Sequence, residues 1–250
     1  MEEKQNFLKN SQIIILGLCI ALATIASSVI ISKGMMKIKK FSTEVIGVTG
    51  SSERKITSDY ITWSSEFSRR DLDMTVAFKQ LQEDLKTVKE YLMTSGIKES
   101  EITVNQVDIT TLYKKTERNE ETNIIEGYRL TQGIKVKSED VQKITDISRR
   151  STELINQGIK LVSESPSYFY MKLPELKHEM LQEATLDAKK RAERIASATD
   201  NKIGVIRSAK MGVFQITPIN SFEVSDWGEN DTTSFEKRAH AVVKADFSIV

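Results

Sequence analysis

Side chains of the types that carry catalysis or bind metals are few in this sequence, and they are scattered. The two histidines, His178 and His240, have neither a cysteine nor a tight carboxylate cluster beside them, and a lone histidine is far more often a packed or surface residue than a ligand. The sequence contains no Gly-rich phosphate loop, no His-x-x-x-His pair and no Gly-x-Ser-x-Gly elbow. It therefore predicts no enzyme activity, no cofactor and no metal.

Paired carboxylates, which could serve as general acid and base, occur at two points. Each pair precedes a predicted helix: Asp71 with Asp73, and Glu139 with Asp140. Capping and the helix dipole favour carboxylates at such positions without any catalysis. A second acidic set, which could contact calcium, lies in a later loop: Glu223, Asp226, Glu229 and Asp231. The spacing of this set fits no EF-hand loop.

The composition is that of an ordinary globular protein, with 250 residues, 39% of them apolar and 28% charged, enough for one large or two small domains. Lys plus Arg (36) nearly balance Asp plus Glu (35), so the chain lacks the basic field that nucleic-acid binding requires. The single cysteine, Cys19, lies in an apolar run and leaves the rest of the chain without a disulfide or a Cys-based metal site.

Residues 13–31 carry no charge and would form a helix roughly 28 Å long, close to the hydrocarbon thickness of a bilayer. A cleaved signal peptide is the alternative, with Thr24 and Ala26 as small residues before the cut. The apolar run continues past that point, which favours an uncleaved anchor. The predicted order is a tail over 1–12, a membrane anchor over 13–31, a polar linker over 32–43 and a domain over 44–250.

The lysines that flank the anchor oppose an outward-facing domain. Two precede it and four follow it: Lys4 and Lys9, then Lys33, Lys37, Lys39 and Lys40. A count of flanking positive charge would place the C-terminal part in the cytoplasm. A single anchor before a large domain is nevertheless the layout of a signal anchor, and large domains can be translocated despite flanking charge.

Beyond the anchor, strand and helix periodicities alternate. Strands are predicted at seven places: 44–50, 60–69, 102–113, 125–137, 161–170, 203–216 and 237–250. Helices are predicted over 74–94, over 141–156 and from about Pro174 into the Ala-rich segment His178–Ile206, which runs through a turn into the strand predicted over 203–216. Hairpins mixed with helices predict an α+β fold, a largely antiparallel sheet covered by about three helices and preceded by one transmembrane helix.

The segment His178–Ile206 has two contrasting faces. Its predicted core face is rich in alanine, which lets a backbone lie close against a sheet: Leu181, Ala184, Ala188, Ala192 and Ile195. The opposite face carries Lys190 and Arg194 among other charges. Such a face is usually only solvated, and the alternative is a contact surface between subunits.

Ordered motifs along the chain resemble the SIMPL domain family (DUF541) of bacterial envelope proteins. They comprise the opening strand 44–50, Gly127-Tyr128-Arg129, the Ala-rich helix from Ala184 to Ala196, and Lys202-Ile203-Gly204-Val205. The resemblance implies an exported α+β domain that in some cases forms ring-like or channel-like homo-oligomers, and it brings no catalytic residues. It thus favours a periplasmic or outward-facing domain over the orientation that the lysine count suggests.

A polar, acidic stretch over 217–236 separates two predicted strands, and loops of this length are commonly functional or disordered. It carries three aromatic residues, Phe222, Trp227 and Phe235, which could contact a partner or another subunit. The alternative is a disordered loop with one packed tryptophan.

Together these patterns predict a membrane-anchored envelope protein that acts through assembly or binding, in envelope maintenance or stress tolerance, without catalysis. Its expected partners are the membrane, through the N-terminal helix, and further copies of itself. The candidate contact residues are Phe222, Trp227, Phe235, Lys190 and Arg194. The alternative function is an envelope hydrolase whose site is assembled from scattered residues.

Overall fold

The computed structural model describes residues 2–221 and 227–250, and within the first helix the side chains of residues 15–36 and 38. That helix, α1, spans Glu2–Thr43. Within it, Ile15–Met36 is long and apolar enough to cross a membrane, with a mean hydropathy of 2.4, and none of it is buried. α1 continues through the predicted polar linker over 32–43 and ends at Thr43.

The chain divides into two compact units. The first comprises Met1–Ser51, Glu183–Gly212 and Val242–Val250, and the second comprises Ser52–Gln182 and Val213–Ala241. Both are built from helices and antiparallel strands, which confirms the α+β prediction. The strands form two sheets.

One sheet lies in the second unit. Its strands are β2 (Tyr60–Asp71), β3 (Ile102–Lys115), β4 (Glu121–Ser138), β5 (Leu161–Ser163) and β6 (Ser167–Phe169). Their order is β3-β4-β2-β5, with β6 beside β2, and every pairing is antiparallel. Alternation over 60–69 predicts that Ile61, Trp63 and Phe67 lie on one apolar face, and all three are buried. The apolar residues of 102–113 change face near the middle, which predicts a bulge, and the pairing register indeed shifts between Val104 and Val107.

Two helices cover this sheet. The first, α2, spans Met74–Thr94 as predicted, and the Asp73 carboxylate caps it by accepting a hydrogen bond from the Thr75 amide at 2.7 Å. Gly96, with φ +88°, follows its end. The second, α3, spans Val141–Arg150 and continues as a 3₁₀ helix over Ser151–Gln157, so the predicted helix over 141–156 is only partly α-helical.

Some predicted details of the second unit are wrong. Helical periodicity over 74–94 predicts a buried stripe that includes Val76, but Val76 is 42% exposed, and Asp84 is buried in that stripe. The single strand predicted over 161–170 is two short strands, β5 and β6, separated by a segment that contains Pro166. Proline cannot donate a ladder hydrogen bond, which explains the interruption.

The other sheet has the order β1-β9-β7, with β8 beside β9. Its strands are β1 (Val45–Thr57), β7 (Ile203–Met211), β8 (Gln215–Pro218) and β9 (Glu236–Ile249). β1 is longer than the predicted 44–50, and the strand predicted over 203–216 is interrupted between β7 and β8. Alternation over 237–250 predicts one inward-facing set that ends at Ile249. Ile249 is 37% exposed, while the other members of the set are buried: Ala239, Ala241, Val243, Ala245 and Phe247.

The Ala-rich helix, α4, spans Leu173–Ser197. In the first unit its buried residues recur every four positions: Ala184, Ala188, Ala192 and Ala196. A Cβ placed on Gly50 of β1 would lie 2.2 Å from the Ala184 carbonyl oxygen, so glycine on the strand and alanine on the helix allow their backbones to meet. The prediction that Ile195 faces the core is wrong, because Ile195 is 50% exposed and Ala196 takes that place.

Candidate interaction surfaces

The charged side of α4 presents Lys190 and Arg194, both exposed and one helical turn apart. Their neighbours are held by contacts within the first unit. The Asp187 carboxylate accepts hydrogen bonds from Arg191 Nε at 2.8 Å and from the Ser51 amide at 2.9 Å. Lys190 and Arg194 thus lie near Asp187, whose carboxylate is held by the Ser51 amide of β1. The opposite side of the helix is buried.

The acidic loop carries the three aromatic candidates, two of which the structure describes. Phe222 lies outside the described residues, as do Glu223 and Asp226. Trp227 is 95% exposed, so it is not the packed tryptophan of the alternative interpretation. Phe235 is partly buried against the core of the second unit, where its ring meets Tyr168 edge to face with centroids 6.1 Å apart. Of the two aromatic candidates that the structure describes, Trp227 is therefore the exposed one and Phe235 is packed against the core.

Sequence reasoning missed a buried lysine that holds the end of this loop. Lys237 is 2% exposed, and its ammonium donates hydrogen bonds to the backbone oxygens of Tyr168, at 2.6 Å, and of Asp231. Burial lowers the pKa of Lys237, and the nearby Asp231 carboxylate opposes that change. A sequence signal for this burial existed, because Lys237 shares the strand parity of Ala239 and Ala241.

The partner of this lysine, Asp231, is also buried and organises the adjacent turn. Its Oδ1 atom accepts hydrogen bonds from the Thr233 amide at 2.8 Å and the Thr233 hydroxyl at 2.7 Å. Burial raises the pKa of this carboxyl group, but hydrogen bonds from Ser234 and Thr233 outweigh burial and lower it. These contacts hold the segment from Asp231 to Lys237 at the base of the loop, and they occupy Oδ1 of Asp231, the atom that three groups of its own chain contact.

An open polar cleft of about 430 Å³ lies in the second unit. Its charged lining consists of Lys98, Glu101, Lys137, Glu139, Asp140 and Lys143. Asp140 forms an ion pair with Lys143 at 2.8 Å, and Glu101 accepts a hydrogen bond from the Ser138 hydroxyl at 2.5 Å. Burial raises the pKa of Glu101, but the Ser138 hydroxyl and the Lys98 amide outweigh it and lower the pKa. A carboxylate held ionised in this way is poorly suited to donate a proton.

Metal-binding clusters do not occur in the part of the chain that the structure describes: no three or more His, Cys, Asp or Glu side chains there are grouped so as to hold an ion. The described surfaces carry exposed charges on α4 and an exposed tryptophan on the loop. In the cleft, Asp140 is paired with Lys143, and Glu101 is hydrogen-bonded to Ser138.

A protein-family model described as "SIMPL: Protein of unknown function (DUF541)" matches residues 46–247. The chain belongs to the SIMPL family. The match spans both compact units and confirms the resemblance carried by the Ala-rich helix and the Gly-Tyr-Arg strand. No curated protein matches the chain closely enough to count as a relative. Because the SIMPL description assigns no function, membership transfers no catalytic or ligand-binding residue.

Proposed function

We propose that this SIMPL protein is a non-catalytic, membrane-anchored protein of the bacterial envelope that acts through assembly or binding. The observation that carries the proposal is a membrane-length apolar helix, Ile15–Met36, that precedes a SIMPL domain. The helix would hold the domain at a membrane surface, where contacts parallel to that surface can build assemblies. Envelope maintenance or stress tolerance is the process in which such an assembly would act.

Support for a contact role comes from the polar groups of the described surface. Three carboxylates that could act in catalysis already make structural contacts within the chain. Asp73 caps α2, Asp140 caps α3 and pairs with Lys143, and Glu101 accepts a hydrogen bond from Ser138. The exposed cations Lys190 and Arg194 lie instead on a surface open to other molecules. This distribution favours binding over the alternative of an envelope hydrolase.

The domain is proposed to face away from the cytoplasm. A reporter active only outside the cytoplasm, fused after Val250 in the full chain, is expected to be active in cells. The matched fusion of a reporter that functions only in the cytoplasm is expected to be silent. The reverse result would place the domain in the cytoplasm, in agreement with the lysines that follow the anchor, and would contradict the proposed location.

Assembly is proposed to use the basic side of α4. Mass measurement of the full chain in a nonionic detergent is expected to show one discrete oligomer. The double variant Lys190→Glu, Arg194→Glu is expected to reduce subunit number, because it reverses two neighbouring charges without touching the buried alanines. The control is Lys79→Glu with Lys86→Glu, which makes the same charge change at exposed positions of α2.

The outcomes separate the hypotheses. Unchanged oligomer size in the α4 variant would show that this side is only solvated. A monomeric wild type that turns over substrates in a hydrolase panel would favour the enzyme alternative and contradict the proposed function.

A further inference from the structure

The strand β3 ends the sheet of the second unit and is paired on one side only, by β4. An edge strand exposes a row of backbone donors and acceptors, and proteins usually shield it with bulges or charges. The bulge in β3 lies between Val104 and Val107, where β3 has one residue more than β4. Beyond it, the register shifts add residues on the β4 side, so β3 is regular from Val107 to Lys115. This half of the edge has the geometry to accept another strand.

Apolar side chains are exposed along this regular half. Ile109 is 53% exposed and Tyr113 is 39% exposed, and Ile125, which lies opposite Tyr113 on β4, is 49% exposed. Ile109 is opposite the buried Leu130. Because side chains alternate along a strand, Ile109 and Tyr113 project from the same face as Leu130. The core face of the sheet therefore continues outward as an uncovered apolar surface.

The sequence of β3 is complementary to itself in one antiparallel register. A twofold axis perpendicular to the sheet pairs residues of equal parity and keeps each face continuous. With Thr111 on the axis, Ile109 of one copy lies opposite Tyr113 of the other. This pairing forms a row of four apolar side chains on four adjacent strands: Ile125 and Tyr113 of one copy, then Ile109 and Leu130 of the other. The twofold symmetry produces a second, identical row.

The opposite face of β3 matches in the same register. Asp108 of one copy lies opposite Lys114 of the other, again twice, and both side chains are exposed. The adjacent registers lose the opposite charges: an axis at Thr110 sets Asp108 against Leu112, and an axis at Leu112 sets Thr110 against Lys114. In the register centred on Thr111, Val107 lies opposite Lys115 at each end of the contact, so the selection rests on the two Asp108–Lys114 pairs together with the two Ile109–Tyr113 pairs.

We infer that β3 of one copy pairs antiparallel with β3 of a second copy, with Thr111 at the twofold axis, so that two sheets become one. The inference rests on the proposed function, because it names one contact of the proposed assembly. It requires no ligand, and its occupant is a second copy of this chain.

A charge exchange tests the register in the full chain in nonionic detergent. Asp108→Lys alone, or Lys114→Asp alone, sets like charges opposite each other twice per pair and is expected to weaken association about tenfold. The double variant restores opposite charges and is expected to recover wild-type association. Within one chain the two positions are roughly 20 Å apart along the strand, so recovery cannot arise from contact inside a single copy.

A cysteine at the axis gives an independent readout. In a Cys19→Ser background, Thr111→Cys is expected to form a disulfide-linked dimer under mild oxidation, because paired residues lie within disulfide reach. Asn105→Cys, at the bulge, is the control and should remain uncrosslinked. A wild type that assembles but shows neither crosslinking nor recovery by the exchange would overturn the β3 pairing and leave assembly in place. A wild type that stays monomeric would overturn both.

Discussion

Replacing Gly50 by alanine is expected to destabilise the first unit by about 3 kcal/mol or more, at the upper end of the cost of overpacking. A Cβ at this position would lie 2.2 Å from the Ala184 carbonyl oxygen and 2.3 Å from the Ala188 amide nitrogen. These are backbone atoms of α4, which cannot rotate aside as a side chain can. The strand and the helix would have to separate, and the small-residue packing between them would be lost.

Gly47 of the same strand provides the matched control for this experiment. Its added Cβ would meet only the Asp246 carboxylate, at 2.9 Å, and that side chain can move. Gly47→Ala is therefore expected to cost less than about 1 kcal/mol. Thermal unfolding of the full chain in nonionic detergent, followed by far-UV circular dichroism, compares the two variants. Equal midpoints would show that β1 does not approach α4 as closely as described.

Replacing Asp84 by alanine is expected to destabilise the second unit by about 3 kcal/mol, the low end of the cost of breaking a buried ion pair. Asp84 is 4% exposed and binds the Arg69 guanidinium through two hydrogen bonds, at 2.5 and 2.6 Å. The pKa of Arg69 is raised by its hydrogen bond to Asp84. Without the Asp84 carboxylate, Arg69, whose side chain is 26% exposed, would stay charged against the core side of β2 with Glu83 as its remaining nearby carboxylate.

The exposed ion pair Lys86–Glu90 on the same helix is the control for the Asp84 experiment. Its atoms are 4.0 Å apart and its side chains are 79% and 66% exposed, so Glu90→Ala is expected to have almost no effect. Urea unfolding can be followed through the fluorescence of Trp63, which is buried in the same unit. If Asp84→Ala unfolded at the same urea concentration as Glu90→Ala, the buried pair would contribute nothing to stability.

Local patterns predicted α2 and β2 well for a clear reason. The Asp73 cap, the Gly96 stop and the periodicity between them involve residues within one helical turn or one strand step of each other. The alternation of Ile61, Trp63 and Phe67 is equally local. Such signals depend only on residues close together in the sequence, so they predict an element before its packing partners are known.

The candidate contact residues were only partly predictable. Lys190 and Arg194 follow from the helical period, and they are exposed as expected. Phe235 was expected on a loop surface and instead packs on Tyr168, because its setting depends on β6, which lies far away in sequence. Lys237 was missed because its burial depends on distant carbonyl oxygens that only the folded chain brings to its ammonium group.

Four properties could be predicted from the amino-acid sequence: the membrane-length helix, the α+β class, the order of most elements and membership of the SIMPL family. Each depends on composition, short-range periodicity or ordered local motifs. The folded chain settles three further features: how closely α4 approaches β1, where the long strands break and which strand is left at the sheet edge. These features depend on which backbones can approach, as at Gly50 and Ala184, and on which strand finds a partner. Both are set by residues far apart in the chain, where local signals carry no information.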